Sequence, residues 1–249
     1  MTEEKQKLEE LIQKSHNIVF FGGAGVSTES GIPDFRSVDG LYHQQYKYPP
    51  EEILSHTFFE HHTEEFYDFY RKKLIVKNAK PNAAHLRLAK LEQQGKLKAI
   101  ITQNIDGLHQ MAGSKNVLEL HGSTLRNYCT RCGKFYDQDF IAASKGVPHC
   151  TCGGIIKPDV VLYEEGLDSD TLQNSVKVLD AADLLIVGGT SLAVYPAAGL
   201  LRYYRGRELV VINKTPTPAD SMATLVLHTP IGEALSEESN SNGSIRRIP

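Results

Sequence analysis

Three observations predict an α/β fold built on a doubly wound, mainly parallel sheet for this 249-residue chain. Short apolar runs alternate with segments whose apolar residues recur at helical spacing. The first strong run breaks directly into glycines. Two stretches interrupt the alternation, one rich in aromatic residues and one holding all four cysteines. Strands separated by helices pair in parallel, because each helical crossover returns the chain to the same end of the sheet.

Taken in order, Leu8, Leu11, Ile12 and Ser15 recur at helical spacing and predict a first helix that packs on the sheet. Ile18 to Phe21 is wholly apolar and reads as a buried strand. Pro81 stands at a second helix start, with Ala84, Leu88 and Leu91 on one face and Gly95 as a stop, and Leu97 to Ile101 is the next strand. Further strands are expected at Val117 to Leu120, Val160 to Tyr163, Leu184 to Val187, Leu209 to Ile212 and Leu225 to Leu227. Helical segments at Asp170 to Ala181 and Tyr195 to Tyr203 separate several of them. The interruptions are Ser37 to Lys77, expected to be helical, and Leu125 to Gly153.

Composition narrows the classes. A hydrophobic share of 41% is ample for a core. No apolar run reaches the length of a membrane span, and the start Met1-Thr2-Glu3-Glu4-Lys5 lacks a signal-peptide layout, so a cytoplasmic protein with no membrane partner is expected. A net charge of −3 offers no global footprint for nucleic acid. From Glu237 onward, Ser, Asn and Glu dominate and predict a disordered tail. Oligomeric state is not written in the sequence, and a monomer is the expectation.

Three constellations carry chemistry. After Phe21 the chain reads Gly22-Gly23-Ala24-Gly25-Val26-Ser27, then Gly31-Ile32-Pro33-Asp34-Phe35-Arg36. A strand that breaks into glycines lets backbone N–H groups approach a diphosphate, which is how nucleotide cofactors are held. The third glycine of the dinucleotide fingerprint is missing, and no acidic residue closes a second strand some 20 residues on. A hydride-transfer enzyme is therefore a poor fit, and a tight turn with glycines for packing alone stays open. The cysteines Cys129-x-x-Cys132 and Cys150-x-Cys152 form a second cluster in a chain without a secretory signal. One structural zinc with sulfurs at about 2.3 Å is the reading, with His149 as an alternative fourth ligand and a redox-active cluster as the other possibility. Thr102-Gln103-Asn104-Ile105-Asp106 and His121-Gly122 each follow a predicted strand. In a parallel sheet these strand ends converge, so Ser27, Asn104, Asp106 and His121 are expected to share one cleft.

These motifs, with Gly189-Thr190-Ser191 and Val211-Ile212-Asn213, resemble in order and spacing the sirtuins, the NAD-dependent protein-lysine deacylases. The resemblance covers roughly residues 8 to 235. It implies a Rossmann-like NAD-binding domain from residues 1–36, 78–124 and 154–236. A small domain would combine a helical part, 37–77, with a zinc ribbon, 125–153, ahead of the tail 237–249. It implies that an acyl-lysine and NAD give lysine, nicotinamide and an O-acyl-ADP-ribose, with His121 taking a proton from a ribose hydroxyl. Asn104 and Asp106 would orient the nicotinamide ribose and carboxamide, and Gln103 would contact ribose hydroxyls. Ser27 and Arg36 would hold the phosphate and ribose side, with Phe35 over the reacting face. Gly23, Ala24, Gly25, Asp34, Ile105, Gly189 and Thr190 complete the near cofactor set. Ser191, Asn213, Lys214 and Ile231 would lie toward the phosphate and adenosine half. The metal ligands would be Cys129, Cys132, Cys150 and Cys152. Gly22 departs from the family, which usually has a hydroxyl residue there.

By the same resemblance, an acyl-lysine peptide would pair between two loops, contacting Val161, Tyr163 and Glu164 on one side and Leu192, Ala193 and Val194 on the other. Tyr163-Glu164-Glu165 stands where the family commonly shows Phe-Gly-Glu, and Glu164 is expected to favour peptides with basic flanks. Phe66 to Arg71 lacks the Tyr and Arg spacing of succinyl-removing members, so short acyl groups, acetyl first, are expected. Two alternatives to deacetylation are ADP-ribosyl transfer to protein and a non-catalytic NAD-sensing or zinc-ribbon interaction module.

Overall fold

The computed structural model describes residues 2–34 and 47–237. Six strands form one parallel sheet: β1 (Ile18–Gly22), β2 (Leu97–Thr102), β3 (Val117–Glu119), β7 (Leu184–Gly188), β8 (Glu208–Ile212) and β9 (Leu225–Leu227). Their order, β3-β2-β1-β7-β8-β9, is that of a Rossmann sheet. The chain adds strands on one side of β1, then crosses to the other, and a crevice opens at the switch between β1 and β7.

Alternate residues of β1 build the two apolar layers. Ile18 and Phe20 face a core with Leu8 and Ile12 of α1 (Glu3–Lys14), Ala84, Leu88 and Leu91 of α5 (Ala83–Gln93) and Ile231 and Leu235 of α9 (Ile231–Leu235). Val19 and Phe21 face the other core, with Leu179 of α8 (Ser169–Ala181) and Ala197 and Leu200 of a 3₁₀ turn over Ala197–Tyr203. Helices therefore cover both faces, as a continuous apolar strand requires. Each fully buried Phe contributes about 1.5–3 kcal/mol to this packing.

The second sheet is antiparallel and small: β4 (Gly122–Cys129) between β5 (Phe135–Asp137) and β6 (Ile156–Val160). Its core is shared with the helical insertion. Phe58 and Phe59 of α3 (His56–His61) and Phe66, Tyr67, Phe69 and Tyr70 of α4 (Thr63–Lys73) pack with Ile141, Ile156, Val160, Cys129 and Cys150. The two interruptions of the alternating pattern thus bury one another.

Two expected elements are corrected. The strand expected at Val160 to Tyr163 ends at Val160, where it began, and its true body is Ile156–Val160 in the antiparallel sheet. Tyr163 instead pairs with the helical insertion, its N–H donating to the Leu54 carbonyl at 2.9 Å and its carbonyl accepting from His56 N–H at 2.9 Å. The helix expected at Tyr195 to Tyr203 is the 3₁₀ turn from Ala197. The tail from 238 and the segment 35–46 lie outside the described residues.

Candidate active site

Strand register sets the site. Glu119, Thr102, Gly22, Gly188, Ile212 and Leu227 are direct partners across the parallel sheet and form one level row at its C-terminal edge. The glycine loop, the Gln103–Asp106 segment, His121, the Gly189–Ser191 loop and Asn213 all follow from this row.

At its centre two glycine loops press together. Gly25 N–H donates to the Gly189 carbonyl at 2.8 Å. A Cβ on Gly25 would stand 2.8 Å from that oxygen, and one on Gly23 would stand 2.9 Å from Thr190 Cβ. Gly189 has φ +56 and a Cβ there would meet Val26 N at 2.3 Å, so both sides of the contact admit only glycine. Gly22 is explained by packing: a Cβ would fall 2.6 Å from Phe20 Cε1. Asn82, the N-cap of α5, supports the loop from beneath, its Nδ2 donating to the Val26 carbonyl at 2.7 Å.

Beside this cradle runs a directed chain of hydrogen bonds. Asn104 Nδ2 donates to Ser27 Oγ at 3.1 Å, Ser27 Oγ donates to Asp106 Oδ2 at 2.6 Å, and Asp106 Oδ1 accepts from Leu108 N–H at 2.9 Å. Asn104 is held in turn by Thr102, whose Oγ1 accepts its backbone N–H at 3.0 Å. Gln103 Nε2 reaches across the switch point to Thr190 Oγ1 at 3.1 Å. Ser27, Asn104 and Thr190 are buried, so each orientation is fixed by these partners.

His121 follows β3 and precedes β4. Its Nδ1 lies 3.0 Å from the Gln103 carbonyl, which can only accept, so Nδ1 carries the hydrogen and Nε2 keeps its lone pair. Burial lowers its pKa below the usual 6.5 and outweighs that hydrogen bond, which acts the other way, so the ring is neutral at pH 7. The turn depends on Gly122, which has φ +74 and whose Cβ would fall 1.9 Å from the Asp159 carbonyl. A neutral imidazole with a fixed free nitrogen, half-buried at a strand end, can take a proton.

The structure brings Ser27, Asn104, Asp106, Gln103 and His121 together, and it places Thr190 across the cradle. Val161 N–H donates to the His121 carbonyl at 3.1 Å, which puts the expected substrate loop next to the histidine. Leu192 has φ +54, a strained conformation for a branched side chain. Ser191, Ala193 and Lys214 are exposed on loops, Asn213 Nδ2 donates to the Thr215 carbonyl at 2.7 Å, and Ile231 is buried at the start of α9. Asp34 is described, whereas Phe35 and Arg36 lie outside the described residues. The sequence reading missed Asn82 and Thr124, whose N–H donates to the Ile105 carbonyl at 2.9 Å. Asn82 was findable, because Pro-Asn before an apolar helical run is an N-cap signal.

The four cysteine Sγ atoms lie within 4.8 Å of one another, with Cys129 and Cys152 at 3.4 Å and Cys132 and Cys150 at 3.6 Å. A tetrahedral ion with bonds of about 2.3 Å sets sulfurs about 3.8 Å apart, so the set fits zinc with no position left open. His149 is exposed and stands outside this cluster, which the four cysteines form by themselves.

A switch-point cradle, a strand-end histidine and a closed four-thiol cluster define an α/β nucleotide-binding protein with a structural metal ribbon. The Sir2 family profile matches residues 23–196. An NAD-dependent protein deacetylase of Clostridium perfringens is 63% identical over 239 residues, covering 94% of this chain and 98% of the relative. A Sir2 structure with deacetylated p53 peptide and 3'-O-acetyl-ADP-ribose superposes with TM-score 0.86 at 42% identity, covering 93% of this chain and 96% of that one. A Sir2, p53 peptide and NAD complex gives TM-score 0.82 at 42% identity, covering 94% and 96%. This chain belongs to the Sir2 family.

Proposed function

We infer that the chain is an NAD-dependent protein-lysine deacetylase that transfers the acyl group of acyl-lysine to ADP-ribose and releases nicotinamide. Bound NAD supplies the electrophilic ribose carbon and the nicotinamide leaving group. The glycine loop at the sheet's C-terminal edge, packed backbone to backbone against Gly189, would cradle the diphosphate of the cofactor. Asn104, Ser27 and Asp106 present a pre-set array of donors and acceptors for the ribose and carboxamide, so little reorganisation is needed on binding. Gln103, Thr190, Ser191, Asn213, Lys214 and Ile231 serve the ribose, phosphate and adenosine side. His121 Nε2 accepts the ribose hydroxyl proton, which the Nδ1 tie to Gln103 makes possible by fixing the tautomer.

That tautomer lock is the observation that carries the reading. Its test is nicotinamide release that depends on an acetyl-lysine peptide. His121→Ala is expected to lower the rate about 10²- to 10⁴-fold. An unchanged rate removes His121 from the chemistry. Labelled NAD that left its label on protein instead of on a small acyl ester would favour the ADP-ribosyltransferase alternative.

Acyl-lysine peptides are the partners, lying between Val161–Glu164 and Leu192–Val194. Short acyl groups are favoured because Tyr67 and Arg71 of α4 are engaged elsewhere. Tyr67 OH donates to the Ile156 carbonyl, and Arg71 Nη1 donates to the Gly146 carbonyl at 2.8 Å. Removal of succinyl groups faster than acetyl groups would overturn this. The free cysteines suit a reducing compartment, which supports the cytoplasm. Among the described residues no helix is long and apolar enough to cross a membrane.

A further inference from the structure

Glu164 is the residue where the substrate loop departs from expectation, and its surroundings point away from the substrate. Its φ is +77, a left-handed conformation that costs a residue with a Cβ and suits glycine. A long acidic side chain there needs a compensating contact. Oε2 accepts from Thr57 N–H at 2.9 Å and from Thr57 Oγ1 at 2.7 Å, both at the start of α3. These donations hold the Glu164 carboxyl below the usual carboxylate range. The neighbouring Glu165 binds the same helix end, with Oε1 2.9 Å from His56 Nδ1 and Oε2 3.2 Å from Lys157 Nζ. Main-chain bonds complete the junction, since Tyr163 pairs with Leu54 and His56 on either side.

We infer that Glu164 is a positioning residue that pins the Val161–Glu165 loop to α3 through Thr57, setting the width of the peptide cleft without contacting the peptide's flanking charges. The inference rests on the reading of that loop as one wall of the acyl-lysine cleft. An electrostatic role and a positioning role differ in what they do to specificity. A carboxylate that meets substrate charge selects basic flanks, whereas a carboxylate bound to Thr57 acts alike on every flank.

The test uses the zinc-loaded enzyme and acetyl-lysine peptides with lysine, alanine or aspartate flanks. Glu164→Gly removes the carboxylate while suiting the left-handed backbone, and Glu164→Gln keeps an acceptor. For Glu164→Gly, peptide KM is expected to rise about two- to fivefold, the scale of an exposed pair, and equally for all three flanks. The KM for NAD should not move, Glu164→Gln should show a smaller rise, and Thr57→Val should add little on top of Glu164→Gly. A rise confined to lysine-flanked peptides, or none at all, overturns the inference. Hydrogen exchange at the His56 and Tyr163 amides gives a second readout that needs no activity. Faster exchange in Glu164→Gly supports the pin, and unchanged exchange overturns it. Wild-type enzyme without acetyl-lysine-dependent nicotinamide release would refute the functional reading, and the exchange result would still decide the role of Glu164.

Discussion

Acidification from pH 8 to pH 5 should destabilise this protein through two buried histidines beneath the cofactor loop. His85 is wholly buried and His109 is 1% exposed, and their ring centroids lie 4.7 Å apart. Among the described residues, His85 Nε2 and both ring nitrogens of His109 have no hydrogen-bond partner. Burial lowers the His85 pKa to about 4 and that of His109 to about 3, with His85 itself adding to the second shift. Unfolding returns both to about 6.5, so between pH 6.5 and 4 the unfolded chain holds more protons and stability rises with pH. At pH 5 each histidine withdraws about 2 kcal/mol relative to pH 8, or about 4 kcal/mol together, a large part of an ordinary domain's stability. His121 acts in the same direction, whereas carboxylates with lowered pKa act below this window. Urea unfolding at fixed ionic strength and fixed zinc content reads the effect as a series of extrapolated free energies. His109→Leu should roughly halve the slope, since any acid release of zinc affects both proteins equally. A wild-type loss below about 1 kcal/mol, or an equal slope in His109→Leu, would refute the reasoning.

Two further outcomes follow from the cradle and the ribbon. Gly25→Ala places a methyl 2.8 Å from the Gly189 carbonyl and should raise the KM for NAD about fivefold or more while leaving the KM for peptide unchanged, the scale of overpacking by about 1–3 kcal/mol; titrating initial rates against each substrate checks it. Chelation of zinc should lower the melting temperature by at least about 10 °C, because Cys129 and Cys150 belong to the core that holds α3, α4 and β6 together; calorimetry with and without added zinc would show the loss and its recovery.

The parallel sheet was legible because its strands are buried on both faces and read as unbroken apolar runs, as at Ile18 to Phe21 and Leu184 to Val187. The second sheet was harder. β6 reads Ile156-Lys157-Pro158-Asp159-Val160, alternately buried and half-exposed, with a proline inside, and its apolar end runs on into the apolar Val161 to Tyr163. Strand ends could be placed on one edge from topology alone, which located His121 beside Asn104. The bond from Ser27 to Asp106 joins residues 79 apart and is set by packing, which sequence spacing does not record. His85 and His109 looked like ordinary members of a set of ten histidines, since burial, and not residue type, gives them their titration behaviour. Glu164 stood out in the sequence as an extra charge, and only its backbone angle and Thr57 reveal where that charge is directed.

β4 begins at the glycine after His121 and ends at the metal ligand Cys129. Its pairing with β6 is interrupted between Ser123 and Asn127, and there Thr124 turns to bond Ile105 of the cofactor loop through both its N–H and its Oγ1. One strand of the small sheet is therefore bonded directly to the loop that leaves the large sheet. β4 thereby ties the small sheet to the cofactor loop, with His121 at one end and the four-cysteine cluster at the other. The stretch that parts His121 from the cysteine cluster is thus eight residues of backbone, pinned at Thr124 to the Asn104–Asp106 loop.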